Sequence, residues 1–587
     1  MRATGTPSCA MAVCLAGSAL LCAAARAGVA GDAQALIQAV QNDDRSAVAQ
    51  LLAQKADVSG REDDGATALA WAAVRCNREI ADLLLQAGAD PNLRNEQGIG
   101  PLYLAIVNGS PAIVRLLLEH RADANLARAD GETPLMAASR LAQLDVVQML
   151  LDRGADVNAR EKKFGQTALM WATGHSELVR LLVDHGADVR AATKVWDITA
   201  TIYTPTTSTI GKTGIPWNND GTYTSKQGGQ TALLFAVQKH DLASVRILLD
   251  AGVDVNVAAA DGTTPLLAAL YKWDPLGTEF VAGKGAPAPA GSSARFGADV
   301  AMAWFLLDHG AKVDVADGAG YTPLHGAALA VAAITTQGRD RSAYGGGRAI
   351  RSKRRQAQPP GPDAARKLEE ALALVKRLLD AGADPNRGTL YPTSGPVGDV
   401  RINPAPPGST PFHIAANSDC LELVKLLADK GADPNRLRKD GHTPFSVAVL
   451  STNVTIVKEM VARGADLKAD YNPTDHFADP VKPISLPRGN QTIMHIAAGA
   501  LAPEVIEYLH SQGVGLDAKN SMGETPLDLA DHQERYHEAR AREAAEDKPD
   551  RVVKRDTTTT DTIKKLLAGS PGAPTVAGVG SAGATQK

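Results

Sequence analysis

Short blocks of apolar residues recur along most of the chain at the spacing of helices. Ile113, Val114, Leu116, Leu117 and Leu118, for example, lie on one side of a predicted helix. Most such blocks are followed by a glycine and preceded by a second, Ala-rich apolar block. Glycine just after a helix favours the left-handed conformation that ends many helices. The pattern therefore predicts pairs of short helices, repeated many times.

The helix pairs recur with a fixed period. Gly65, Gly98 and Gly131 are 33 residues apart, and so are Gly229 and Gly262. These positions open variants of the stretch Gly-x-Thr-Pro-Leu-x-x-Ala-Ala, and the repeats end in variants of Leu-Leu-x-x-Gly-Ala-Asp-x-Asn. A threonine before a proline is suited to cap a helix whose first turn contains that proline. Asp-x-Asn and Asp-Gly supply turn residues between the helix pairs.

This motif at this period resembles the ankyrin repeat, and the resemblance covers most of residues 32–568. It implies an all-α solenoid of about eleven repeats, in which antiparallel helix pairs are joined by projecting β-hairpin fingers. The family's histidine after Thr-Pro-Leu is present at His325, His413 and His495 only, where the resemblance implies bonds to local backbone and threonine groups. The repeat from Gly165 onward is two residues short between its helices, which predicts a local distortion.

The repeats and their interruptions predict the organisation of the whole chain. The segments are a signal peptide at 1–27, a helical N-terminal cap at 28–64, repeats at 65–190, a finger insertion at 191–228, repeats at 229–568 and a disordered tail at 569–587. Further insertions interrupt the second block of repeats at 273–298, 336–365, 388–407 and 472–488.

The first residues have the pattern of a secretory signal. Met1 and Arg2 precede an Ala-rich apolar run over residues 10–25, which ends in Ala25-Arg-Ala27. The run is too short for a comfortable membrane span. We therefore expect a bacterial protein that is periplasmic or secreted, with no integral membrane segment in the mature chain. A disordered Ala-rich start is the alternative.

Composition narrows the function classes. The net charge of −4 gives no overall basic field, so we predict no nucleic-acid partner. Cys76 and Cys420 follow the leader without a Cys-x-x-Cys or Cys/His cluster, which disfavours a zinc site. Gly211-Lys212-Thr213 lacks the earlier glycine of a phosphate loop. The sequence therefore predicts no catalytic residue, no metal ligand and no cofactor.

What is left for function is the surface. In the ankyrin family, partners usually lie against the finger tips and the exposed face of the first helices, so we predict a non-catalytic protein-interaction scaffold of the cell envelope or exterior. The predicted finger residues are Arg94, Glu96, Gln97, Arg128, Lys162, Lys163, Arg438 and Lys439. The predicted inner-helix residues are Arg75, Asn108, Arg140, Gln238, Lys239 and Asn417. The many arginines and lysines in the first half indicate a protein partner with an acidic contact surface.

Two other functions stay open at this point. One is a secreted effector that targets host proteins. The other is a ligand-binding or enzymatic site formed by the insertions, in particular by 191–228 and 388–407. The insertion at 336–365 is rich in arginine and lysine, and it is either a contact for an anionic partner or a solvated loop without function.

Overall fold

The computed structural model describes most of the chain in two compact bodies. The described residues are 30–205, 217–270, 299–335, 362–390, 408–438, 441–471, 490–543 and 556–568. Over these residues there are 24 helices and two strands, which confirms the predicted all-α class. The N-terminal body contains the residues up to Trp196 together with Gln227–Ala260. The C-terminal body contains Asp197–Lys226 together with the residues from Asp261 onward.

The N-terminal body is built of helix pairs. Its helices are α1 (Ala30–Gln41), α2 (Arg45–Ala53), α3 (Ala68–Val74), α4 (Arg78–Gln86), α5 (Pro101–Val107), α6 (Pro111–Glu119), α7 (Pro134–Arg140), α8 (Leu144–Asp152), α9 (Ala168–Ala172), α10 (Ser176–Asp184), α11 (Ala232–Gln238) and α12 (Leu242–Asp250). The odd-numbered helices from α1 pack on one another in sequence, and so do the even-numbered helices. We call the odd-numbered helices the inner helices and the even-numbered ones the outer helices.

The C-terminal body continues the same alternation. Its helices are α13 (Pro265–Leu270), α14 (Val300–Asp308), α15 (Pro323–Thr335), α16 (Pro362–Asp380), α17 (Pro411–Ala416), α18 (Leu421–Asp429), α19 (Pro444–Leu450), α20 (Val454–Ala462), α21 (Ile493–Gly499), α22 (Pro503–Ser511), α23 (Pro526–Glu543) and α24 (Thr558–Ala568). Strands β1 (Val195–Pro205) and β2 (Trp217–Gly228) pair with each other within the predicted finger insertion. None of the described helices is both long and apolar enough to cross a membrane.

The inner helices are short, capped and made of small residues. Helix α3 begins after Thr67, whose hydroxyl accepts a hydrogen bond from the backbone N–H of Ala70, and Thr133 caps α7 in the same way. Alanines such as Ala72 and Ala73 are fully buried. Because alanine adds little volume, neighbouring inner helices can approach closely and bury a continuous core.

The Asp-x-Asn motif connects successive repeats within the N-terminal body. The side-chain amide of Asn125 donates to Gly154 O at 3.0 Å and accepts from the backbone N–H of Asp156 at 2.6 Å. Asn92 and Asn158 make the equivalent pair of bonds one repeat earlier and one repeat later. The motif is therefore a hydrogen-bonded cross-link between repeats, in addition to the turn predicted from sequence.

The fingers are also joined by backbone hydrogen bonds. In the N-terminal body the N–H of Ala129 donates to Gln97 O at 3.2 Å, and the N–H of Lys162 donates to Asp130 O at 2.8 Å. Apart from β1 and β2, the described fingers consist of turns with isolated β-bridges, such as the one between Arg61 and Thr67.

Finger glycines serve both the turn and the contact with the next finger. Gly98 has a φ of +77°, and a Cβ added there would lie 2.8 Å from the backbone N of Ala129. Gly154, at the end of an outer helix, has a nearly equal φ of +78°, but nothing lies within 4 Å of an added Cβ. Because the two φ values are nearly equal and only Gly98 lies against a neighbouring finger, the pair separates backbone strain from the contact between fingers.

The three motif histidines link repeats in the C-terminal body. Nδ1 of His325 accepts from the backbone N–H of Thr322 at 3.2 Å, and Nε2 lies 3.0 Å from Ser409 O. This assigns the proton to Nε2, which donates to Ser409 in the following repeat. His413 and His495 make the same two kinds of bond. The bonds to threonine agree with the local bonds implied by the resemblance, whereas the Nε2 bonds to the following repeat go beyond them.

Burial keeps these rings neutral. Loss of water around His325 lowers its pKa to about 4, although its bond to Ser409 O opposes the shift. Burial, assisted by the charge of Arg438, lowers the pKa of His413 to about 3. A second proton on either ring would also set an N–H donor against the N–H of the preceding threonine.

We predict that Gly98→Ala destabilises the protein more than Gly154→Ala. Both variants place alanine at a positive φ, which costs about 1 kcal/mol. Only the first also forces two fingers apart, so its midpoint of urea unfolding, followed by circular dichroism, falls further. Equal midpoints would show that the contact between fingers adds nothing to stability.

We also predict that the protein loses stability as the pH falls below about 6.5. In that range the unfolded state binds protons that the folded His325 and His413 exclude, so each contributes a slope of up to about 1.4 kcal/mol per pH unit. The contribution ends as the pH passes the folded pKa values of about 4 and about 3. Urea midpoints between pH 7 and pH 4.5 measure the slope.

The combined variant His325→Gln/His413→Gln is expected to be less stable at pH 7 and to show a shallower slope. His120→Gln, at the exposed end of α6, serves as the control. A slope unchanged in the double variant argues against the histidines as its source.

Candidate functional site

The predicted partner-binding residues fall in both bodies. Within the described chain, the N-terminal body holds Arg75, Arg94, Glu96, Gln97, Asn108, Arg128, Arg140, Lys162, Lys163, Gln238 and Lys239. The C-terminal body holds Asn417 and Arg438, while Lys439 lies outside the described residues.

In the N-terminal body, positively charged finger side chains are hydrogen-bonded to the backbone of a neighbouring finger. The guanidinium of Arg94 donates to Ala127 O at 3.4 Å, and the ammonium of Lys162 donates to Ala129 O at 2.9 Å. Each side chain is exposed and uses a backbone carbonyl of an adjacent finger as its anchor. These bonds hold the cations in position without neutralising them.

A carboxylate lies at the centre of three repeats. Glu132, whose side chain is only 7% exposed, accepts hydrogen bonds from the hydroxyl of Tyr103 at 2.8 Å and from Arg128 at 2.7 Å. Arg140 donates to its other oxygen at 3.0 Å and lies over the ring of Trp171, 5.4 Å from the centroid. We call these five residues the Glu132 cluster.

Burial sets the chemistry of the Glu132 cluster. It raises the pKa of Tyr103, and the hydrogen bond to Glu132 adds to the shift, so the hydroxyl keeps its proton and acts as a donor. One buried carboxylate is thus satisfied by a phenol and two guanidinium groups. The predicted site residues Arg128 and Arg140 are brought together here, and both hold the repeats in register.

Lys239 caps the shortened inner helix α9 of the preceding repeat. Helix α9 ends at Ala172 after five residues, whereas α7 has seven, because this repeat is two residues short. The ammonium of Lys239 donates to Thr173 O at 2.5 Å, and its stem lies over Gly174. Desolvation lowers the pKa of Lys239, opposed by the charge of Asp241. The distortion expected in this repeat is a shortened helix, and a lysine from the next repeat donates to the carbonyl that follows it.

The other inner-helix residues are also anchored. Arg75 donates to Gln41 O, and Asn108 donates to Leu104 O at 2.8 Å. Gln238 donates to the side chain of Gln230 at 3.1 Å. Each of these three polar side chains is therefore held by a hydrogen bond within its own repeat or to the preceding repeat.

The sequence matches protein-family models over most of these repeats. A model described as ankyrin repeats (3 copies) matches residues 11–95, 102–193 and 363–475. A model for ankyrin repeats (many copies) matches 478–530, and one for a single ankyrin repeat matches 228–260. Together these matches cover more than half of the chain. The protein belongs to the ankyrin-repeat family.

Ankyrin repeats generally mediate protein–protein interaction, and the family is typically a non-catalytic scaffold. No enzymatic domain is detected by the family models. No curated protein matches the sequence at a significant level.

In the C-terminal body, the two predicted partner-binding residues lie where the chain turns. Asn417 is the residue that ends α17. The backbone N–H of Arg438 donates to His442 O at 3.0 Å, which closes the finger turn. The structure places these residues on an inner helix and a finger, as the sequence indicates.

The described residues contain no group of three or more histidine, cysteine, aspartate or glutamate side chains placed to hold a metal ion. Burial raises the pKa of the Cys420 thiol to about 11, so its thiolate is not available as a nucleophile. Most residues of the insertions at 273–298, 336–365, 388–407 and 472–488 lie outside the described residues, and so do the leader and the tail.

Sequence reasoning missed Tyr103 and Glu132 as members of the site. The repeat register carries a signal for them. Tyr103 occupies the position of the motif histidine, and Glu132 precedes the capping threonine of the next repeat. His325 and Ser409 are related in the same way in the C-terminal body, and they are hydrogen-bonded. Aligning the repeats with one another therefore identifies Tyr103 and Glu132 as a pair.

We predict that Glu132→Gln lowers the urea midpoint by the equivalent of about 1–2 kcal/mol, because two guanidinium groups lose their shared anion. Glu96→Gln, on an exposed finger, is the matched control and should stay within about 0.5 kcal/mol of the parent. If both variants unfold at the parent midpoint, the Glu132 cluster does not stabilise the stack.

Proposed function

We propose that this protein is an exported bacterial scaffold that binds an acidic protein through the fingers and inner helices of its N-terminal body. Membership of the ankyrin-repeat family supports a role in protein–protein interaction. The excess of arginine and lysine among the predicted site residues supports an acidic contact surface on the partner.

The observation that carries the proposal is the anchoring of exposed cations to backbone carbonyls of neighbouring repeats. Arg75, Arg94 and Lys162 all show it. A guanidinium has five N–H donors and an ammonium has three, so each group keeps donors for a partner. Side chains that are already ordered lose less conformational entropy when they bind.

The proposed location rests on the leader. A charged start, a short apolar run and Ala25-Arg-Ala27 are typical of a secretory signal, and they favour the periplasm or the exterior. Cell fractionation and N-terminal sequencing of the recovered protein test this. A mature chain that begins at Gly28 is expected, and an uncleaved cytoplasmic chain would contradict it.

The interaction is tested by affinity capture with crosslinking and mass spectrometry, using the exported full chain as bait. We expect Arg75→Glu/Arg94→Glu to lose a partner that the parent retains, because two fixed cations become repulsive to acidic groups. Arg128 and Arg140 are left unchanged, since both stabilise the buried Glu132.

The matched control is Arg78→Glu/Arg115→Glu, which makes the same change in charge on the exposed side of outer helices α4 and α6. The control should retain the partner. Loss of the partner from both variants would indicate a general charge effect, and retention by both would exclude this face. A partner found only in host extracts would favour the effector function.

A further inference from the structure

Two neighbouring fingers of the N-terminal body concentrate positive charge. Arg160, Lys162 and Lys163 lie in the finger before α9, and Lys194 follows in the next finger. All four side chains are exposed. We call these four residues the basic finger.

The basic finger is held in a fixed arrangement by backbone carbonyls. The guanidinium of Arg160 donates to Ala192 O at 2.7 Å, and the ammonium of Lys194 donates to the carbonyl of Lys162 at 2.6 Å. Lys162 is itself anchored on the preceding finger. Each bond uses one donor of its cation, so the remaining donors point to solvent or to a partner.

The acidic residue within the basic finger is turned inward. Glu161 is 7% exposed, and its carboxylate accepts from the backbone N–H groups of Lys163 at 2.6 Å, Phe164 at 2.7 Å and Gln166 at 2.9 Å. Its charge shapes the loop and is not presented at the surface. Asp130, on the preceding finger, is paired with Arg128 at 3.4 Å.

The aromatic residues beside the basic finger contact each other and one of its cations. The ring of Phe164 lies 5.5 Å from that of Trp196 and carries the ammonium of Lys163 at 4.7 Å from its centroid. A Cβ added at Gly228 would lie 2.8 Å from one carbon of the Trp196 ring, so the backbone packs closely against that ring. Single-stranded nucleic acid is usually bound by bases that stack on open aromatic faces. Here the ring of Phe164 carries the ammonium of Lys163 instead.

We propose that the basic finger is the contact for a run of carboxylates in an acidic, extended segment of the protein partner. This inference rests on the proposed scaffold function and assigns its charge specificity to the basic finger. The ammonium groups of Lys162 and Lys194 are anchored on backbone carbonyls and that of Lys163 on the ring of Phe164, and such ordered neighbouring cations suit carboxylates that succeed one another along a chain. The cation over the Phe164 ring and the net charge of −4 disfavour a nucleic acid.

The test uses the full chain and a labelled synthetic Glu-rich peptide, with binding measured by fluorescence anisotropy between about 0.05 and 0.2 M salt. The variant Lys162→Glu/Lys163→Glu/Lys194→Glu should weaken binding by about tenfold or more, because three attractive contacts become repulsive. The neutral variant with glutamine at the same three positions should fall between it and the parent. Circular dichroism verifies that each variant is folded.

The matched control is Arg78→Glu/Arg115→Glu/Arg180→Glu, which makes the same charge change on outer helices α4, α6 and α10. It should bind the peptide within about twofold of the parent, a difference below 0.5 kcal/mol. A single-stranded oligonucleotide of equal charge and phosphatidylserine vesicles are the competing probes. Both should bind more weakly than the peptide.

Three outcomes would overturn the proposal: no binding of the peptide to the parent, equal weakening in the variant and its control, or tighter binding of either competing probe. If the peptide fails to bind while Arg75→Glu/Arg94→Glu still loses the captured partner, the scaffold function stands and the basic finger is excluded. If neither the peptide nor any captured protein binds, both proposals fail.

Discussion

Within each body, successive repeats complete one another's hydrogen bonds and bury their apolar faces against one another. Asn125 uses its amide on the backbone of the following repeat, and Gly98 leaves room for the following finger. A helix pair alone would leave these groups unsatisfied and its alanines exposed to water. The contact between successive repeats therefore accounts for the turn asparagines, the small core residues and the glycine of the finger turn.

The same constraint determines which polar residues are available to a partner. A cation at a finger or on an inner helix lies beside the backbone of its neighbour, and most of those described donate to it. Arg94 and Lys162 remain exposed while they do so. Three other cations have structural contacts that a partner would have to compete with. Arg128 and Arg140 bind the buried Glu132, and Lys239 binds the shortened repeat. The binding surface and the stack thus share residues, and a substitution at one of the last three perturbs both.

The repeat architecture could be predicted from sequence because its determinants are local and recur. Thr-Pro, the Ala-Ala pairs, the glycines and Asp-x-Asn each specify a cap, a close contact or a turn within a few residues, and the period of 33 reveals their order. The individual site geometry could not be predicted in this way. The bond between Tyr103 and Glu132 joins residues 29 apart, and it depends on how two repeats are stacked. The role of Lys239 depends on a deletion 66 residues away in sequence.

The shortened repeat shows how a solenoid accommodates an irregularity without losing its stacking. Removing two residues ends α9 early and leaves Thr173 O without the helical partner that a longer helix would provide. The ammonium of Lys239 supplies that hydrogen bond, and the carboxylate of Asp241 accepts from the N–H of Gly174 at 3.0 Å. Both side chains come from the next repeat, so the missing hydrogen bonds are supplied across the interface between the two repeats. A lysine that looks like a surface residue in its own repeat is therefore a structural residue of the repeat before it.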